Sequence, residues 1–261
     1  GVDVWVPRGS QRQAQVGVEV EVAQSVFSDE SARQEVVAAA AAPNMGTKPA
    51  EVATSVAEAV APEKPAAPMP IVRDLSEYDW PELQQAVSEC TACGLCNSRT
   101  HTVFGVGNPQ ADVLFIGEAP GQQEDREGQP FVGRAGKLLD QMLKSIGFNR
   151  EKVFIANILK CRPPQNRDPT PEEITTCTPF LHRQIELLQP KLLVALGRIA
   201  AQHLLGSTAP LRRLRQQRWF YGQLETPLLV TYHPAYLLRS PRDKALAYQD
   251  LLTILECVTS S

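Results

Sequence analysis

"VLFIGEAPGQQEDREGQPFVGRAG", residues 113–136, runs from an unbroken apolar segment straight into a loop of glycine, proline, carboxylate and amide side chains. A strand apolar at every position is covered on both faces, as in parallel sheets. A polar, glycine-rich loop at the carboxyl end of such a strand is where open α/β sheets build their sites. Three more runs of the same character follow: "VFIANILK" (153–160), "KLLVALG" (191–197) and "PLLVTYH" (227–233).

Between these runs the period changes to that of helices. Leu138, Leu139, Met142, Leu143 and Ile146 recur at helical spacing, with Gly147 as the stop. Thr170, Pro171 and Glu173 form a capping box that opens a helix running to about residue 188. Shorter helices are expected over 198–205 and 243–257. Strands alternating with helices predict an α/β fold: a three-layer α/β/α sandwich around a central parallel four-stranded sheet. The loops after Ile116, Ile158, Leu196 and Tyr232 should then converge on one site.

The chain has 261 residues, 43% of them hydrophobic, and 21 prolines. That suffices for one good-sized core preceded by a tail. Residues 1–77 hold 11 acidic and 6 basic side chains, and 22–72 are dominated by Ala, Val, Glu and Pro. Such a composition buries too little surface to offset the entropy of ordering it, so 1–77 is expected to be a disordered acidic tail and linker before a folded domain over 78–261. "VDVWVP" (2–7), with Trp5, is a candidate docking motif on that tail, and "VPRGS" (6–10) has the look of a protease-site scar. No run of 18 apolar residues exists, and "VVAAAAAP" near Val36 is too short to span a bilayer. A soluble, cytoplasmic monomer with no membrane partner is expected.

Familiar nucleotide loops fail on inspection. "GRAGKLL" at Gly133 lacks the Gly-Lys-Ser/Thr ending of a P-loop, and "GVGN" at Gly105 lacks the third glycine of a dinucleotide fingerprint. What the strand ends offer instead is a carboxylate beside backbone amides at Gly117-Glu118-Ala119, an amide at Asn157 and an imidazole in "HPAYLLR" (233–239). An amide is donor and acceptor in one group, which suits the edge of a base, and an imidazole can donate to a developing oxyanion. Taken singly, each has an ordinary structural reading as a cap or a solvated group; their shared position at strand ends points to a site.

Four of the six cysteines fall as Cys90-x2-Cys93 and Cys161-x15-Cys177. In a reducing compartment four thiols suggest a metal centre, and the spacing leaves tetrahedral zinc and a [4Fe-4S] cluster open. Cys96 reads as a spare thiol and Cys257 as a core residue. Arg212, Arg213, Arg215 and Arg218, followed by Trp219, Phe220 and Tyr221, suit contact with a phosphate backbone as well as they suit a solvated face.

Taken in order, "GEAPGQQED", "PFVGRAG", "NILKCRPPQNR", "TPEE" and "HPAYLLR", together with these cysteines, closely resemble the family 4 uracil-DNA glycosylases, over residues 90–255. The resemblance implies a [4Fe-4S] cluster on Cys90, Cys93, Cys161 and Cys177. It implies uracil-containing DNA as substrate, Gly117 and Ala119 at the pocket wall, Phe131 stacking on the flipped uracil, Asn157 reading the base edge and His233 stabilising charge on uracil O2. A related branch that traps uracil covalently carries glutamine where Ala119 stands, with a basic His-containing loop; neither is present. The expected activity is that of a monofunctional glycosylase: uracil is flipped out, its N-glycosidic bond is hydrolysed, and an abasic site is left to start base excision repair. Glu118 is the first candidate to handle the water and Glu124 the second. Tyr236, Leu237 and Leu238 are candidate wedges for the vacated stack and Arg239 a phosphate contact. The Trp5 motif would then serve a repair or replication partner. Rival readings are a protein that grips damaged DNA without releasing the base, and a redox or zinc protein that shares only the sheet.

Overall fold

Six strands make one mixed sheet: β1 (Val106–Gly107), β2 (Val113–Gly117), β3 (Phe154–Asn157), β4 (Leu192–Leu196), β5 (Trp219–Tyr221) and β6 (Thr226–Thr231), in the order β1-β3-β2-β4-β6-β5. The computed structural model of the protein describes residues 74–215 and 217–259. The Trp5 motif and nearly all of the expected tail lie outside these residues.

The four apolar runs form the four central strands and pair in parallel, β2 with both β3 and β4, and β4 with β6. The expected four-stranded sheet was incomplete. Antiparallel β1 and β5 extend it at either edge, against β3 and β6. With two and three residues, half-buried or exposed, they are too short to show any period.

Helices cover both faces. Val113, Phe115, Ile155 and Val194 point to one side, where they meet Leu139, Met142 and Leu143 of α3 (Arg134–Ser145) and Leu251 and Ile254 of the last helix (Lys244–Thr259). Leu114, Ile116, Ala156 and Leu193 point to the other. There they meet Leu83 and Val87 of α1 (Trp80–Ser88), Phe180 and Leu181 of α4 (Pro171–Leu188), and Ala200 and Ala201 of α5 (Arg198–Leu205). Alternate side chains of each central strand are therefore buried on opposite faces, each large one stabilising the fold by roughly 1.5–3 kcal/mol. The short helices are α2 (Gln122–Glu127), α6 (Leu211–Leu214) and α7 (Pro234–Arg239), so the last helix is α8.

The capping box of α4 forms as expected, with Thr170 accepting from the Glu173 amide and Glu173 from that of Thr170. An unforeseen second box, Asp79 with Glu82, opens α1. Leu75, placed in the tail by composition, is 4% exposed and part of the core, so the folded region begins before the expected boundary. Among the described residues no helix is long and apolar enough to cross a membrane.

Candidate active site

At the carboxyl ends of β2, β3 and β6 the sheet opens into a cleft of about 440 Å³. Gly117 ends β2, Asn157 ends β3, and His233 is the N-cap of α7 directly after β6. Glu118, Ala119, Glu124, Phe131, Asn157, His233, Tyr236 and Arg239 all line the cleft. The fourth loop contributes indirectly. Gly197, at φ +92°, has no side chain because a Cβ there would stand 2.8 Å from Cβ of His233.

Asn157 is 2% exposed, and its Oδ1 has no hydrogen-bond partner among the described residues. A buried acceptor left unpaired costs roughly 1–3 kcal/mol, which a ligand N–H recovers. A Cβ on Gly117 would lie 2.3 Å from that oxygen and 2.7 Å from Cζ of Phe131. Glycine is thus required where the wall brings amide and ring together. Gly117→Ala should displace both groups and lower kcat/KM for a reaction in this cleft by about 10²-fold, the usual consequence of a misplacement near 1 Å. Steady-state kinetics beside a thermal melt checks this, since the fold itself should survive.

Phe131 is held against its own preference. Its backbone is left-handed at φ +55°, a conformation that costs an ordinary side chain about 1–2 kcal/mol. Arg150 compensates by donating to the Phe131 and Pro130 carbonyls while Asp140 anchors its Nε at 2.7 Å. Gly136 lets α3 pass beneath, for a Cβ there would fall 1.6 Å from the Phe131 carbonyl oxygen. Glu124 Oε1 accepts from the amides of Val132 and Gly133 at 3.0 and 3.1 Å, at the start of α3. The Phe131 ring ends 5% exposed, 5.6 Å from the His233 ring.

Burial moves two titrating groups of the cleft furthest from their ordinary values. Burial, with Asp168 nearby, raises Glu118 to about 7, and Arg198 pulls the other way. Burial lowers His233 to about 4, and Arg239 adds to the effect. His233 Nδ1 accepts from the Ala235 amide at 3.1 Å, so the neutral ring carries its proton on Nε2. That leaves one imidazole N–H free to donate.

Cys90, Cys93, Cys161 and Cys177 line one small pocket together, and Cys96 is outside it. Arg99 Nη1 donates to Cys161 Sγ at 3.0 Å and the Lys160 amide to Cys177 Sγ at 3.2 Å. Burial pushes the Cys161 thiol up to about 11 and that of Cys177 to about 12. Among the described residues no three His, Cys, Asp or Glu side chains are gathered so as to hold one metal ion.

Some expectations need correction. Leu237 is fully buried against the α3 and α8 face, where it supports α7, and is unavailable as a wedge. Tyr236 is 36% exposed at the cleft and Leu238 half-buried. Trp219 and Tyr221 pack on the core, leaving Phe220 exposed, so those aromatics do not form one face with the arginines. Sequence reasoning missed Lys160, fully buried, whose Nζ donates to the carbonyl of Asn157 at 2.8 Å and to Gln184 Oε1 at 2.6 Å. It also missed Asp168, which lines the cleft and pairs with Arg198 at 3.0 Å. Nothing in their local pattern distinguishes them from solvated charges.

Known proteins share much of this sequence. The family described as "Uracil DNA glycosylase superfamily" matches residues 104–253. A type-4 uracil-DNA glycosylase of Sulfurisphaera tokodaii is 43% identical over 67% of this chain and 83% of its own length. Those of Archaeoglobus fulgidus and Thermotoga maritima are 44% and 45% identical over 62% of this chain, and over 84% and 87% of theirs. The parallel sheet, the cleft at its strand ends and these relatives lead to one conclusion: the chain belongs to the uracil-DNA glycosylase superfamily, in its type-4 branch, and is an enzyme of DNA repair that excises uracil from DNA.

Proposed function

We propose that the protein is a monofunctional glycosylase that hydrolyses the N1–C1′ bond of a flipped deoxyuridine and leaves an abasic site for base excision repair. The observation that carries this is the unpaired, buried Oδ1 of Asn157. Uracil offers N3–H to that oxygen and O4 to the amide N–H, whereas cytosine presents the reverse pattern to the amide in this orientation. Phe131 supplies the stacking floor. His233 donates Nε2–H to uracil O2 as the base leaves as an anion. Water bonds to C1′ and gives its proton to Glu118, whose pKa near working pH suits a general base. Glu124, engaged with two backbone amides, shapes the Phe131 loop instead. Tyr236, exposed at the cleft, would fill the vacated stack and Arg239 would meet a phosphate, while Leu238 packs toward the α3 and α8 core.

The four cysteine thiols fit a [4Fe-4S] cluster: they line one small pocket, and four thiolates are the ligand set of such a cluster. Bound there, the cluster would supply a cross-link between the segment before β2 and the loop behind Asn157. Thiols that hold a cluster need a reducing compartment, and we take the enzyme to act in the cytoplasm as a monomer.

The direct test is a labelled oligonucleotide with one uracil. Alkali-labile cleavage that Asn157→Ala abolishes is expected; tight binding without product would establish recognition alone. The pH dependence follows from Glu118. Its carboxylate must be ionised, so kcat/KM should rise with pH to a plateau above about 7. Because its folded pKa is raised above 4.5, the native state holds the extra proton between 4.5 and about 7, and stability falls as pH rises through that window. Glu118→Gln should therefore be inactive yet melt higher than the wild type at pH above 7, with the gain vanishing at low pH. A Glu118→Gln protein with normal turnover would remove the base from the mechanism.

A further inference from the structure

The exposed ring of Tyr236 belongs to a ladder that begins outside the cleft lining. It lies 12° from the plane of Tyr232 with centroids 5.2 Å apart, and its hydroxyl donates to Asp243 at 2.6 Å. The Tyr232 ring also carries the Arg215 guanidinium, 4.0 Å from its centroid. Arg215 in turn is gripped by both carboxylate oxygens of Asp250, at 2.9 and 2.8 Å, and Asp250 takes the Thr231 hydroxyl at 2.6 Å. The Arg215 side chain is only 6% exposed. A planar cation held by a bidentate carboxylate cannot swing, so it fixes the ring it covers. That ring fixes the next.

We propose that Arg215 and Tyr232 are positioning residues for Tyr236, holding its ring upright as the group that fills the gap when uracil swings out of a duplex. This rests on the reading of Tyr236 as a wedge. A wedge ordered beforehand loses no side-chain freedom on insertion, and its full stacking contact is available when the base pair opens. Single-stranded DNA has no paired stack to fill, so there the ladder is without effect. Arg215 thereby becomes a determinant of substrate preference without touching the substrate.

The experiment compares kcat/KM on one uracil oligonucleotide, single-stranded and annealed opposite adenine. Arg215→Met should lower the duplex value about tenfold, the worth of one aromatic stacking contact, and leave the single-strand value within about twofold. Tyr232→Leu, which keeps the Arg215–Asp250 pair, should shift the ratio in the same way even if Arg215→Met folds poorly. Tyr232→Phe, which keeps the ring, should restore it. In a Tyr236→Ala background, Arg215→Met should add nothing on duplex DNA. Equal losses on both substrates, no loss on either, or additivity with Tyr236→Ala would overturn the proposal. Failure of the wild type to release uracil from either strand form would instead sink the functional reading beneath it.

Discussion

Replacing His233 by alanine is expected to lower kcat for uracil release by about 10²–10³-fold, the usual cost of losing one donor aimed at developing charge. KM should change little, because uracil O2 becomes anionic only as the bond breaks. The ring also caps α7 through Nδ1, so the same change removes roughly 1 kcal/mol of stability. His233→Asn separates the roles: asparagine caps well but its amide is shorter, so the melting temperature should recover while kcat remains low. Burial keeps the imidazole neutral down to about pH 4. Its folded pKa lies below the unfolded value of 6.5, so the stability it contributes is present above 6.5 and is lost as pH falls toward 4. The activity of the wild type should accordingly show no decline between pH 6 and 7 from deprotonation of this ring. Such a decline would identify an imidazolium as the donor and overturn the neutral-donor mechanism.

The second large effect concerns the cysteines. Cys161→Ser should abolish visible absorbance of the purified protein, depress its folded yield and lower its melting temperature together. Cys90 and Cys161 stand about 70 residues apart, and a cross-link closing such a loop is worth about 4 kcal/mol if it acts as a covalent one. In the proposed mechanism the lost clamp would lie behind the amide assigned to read the base, since Cys161 follows Lys160 and Lys160 Nζ donates to the Asn157 carbonyl. Residual Cys161→Ser protein should therefore bind free uracil more weakly. Cys96→Ser, outside the pocket, should keep absorbance and activity. A Cys161→Ser enzyme with wild-type melting temperature and turnover would show that no clamp exists there.

The local period announced the central strands and long helices because burial on both faces of a strand, or along one stripe of a helix, leaves a repeat in adjacent residues. Asn157, His233 and Glu118 were legible too, since each sits one or two residues from the end of such a run. The loop proposed as the wedge was less so. "YLLR" reads as three apolar candidates, and only the turn of α7 decides that Leu237 faces the core while Tyr236 faces the cleft. Glu118 and Glu124 look alike in sequence, yet one is desolvated beside Asp168 and the other is bonded to Val132 and Gly133.

Sequence by itself determined the order of the four central strands and the four helices read from its periodicity, the glycosylase motifs and the four cysteines that share a pocket. Tertiary structure alone decided the two edge strands, the left-handed turn that seats Phe131, the burial of Lys160 against Asn157 and the ladder from Asp250 to Tyr236. The division has a physical cause. Propensity and periodicity act between residues a few positions apart, whereas desolvation, close approach at Gly117 and stacking of Arg215 on Tyr232 arise between residues that only the folded sheet brings together.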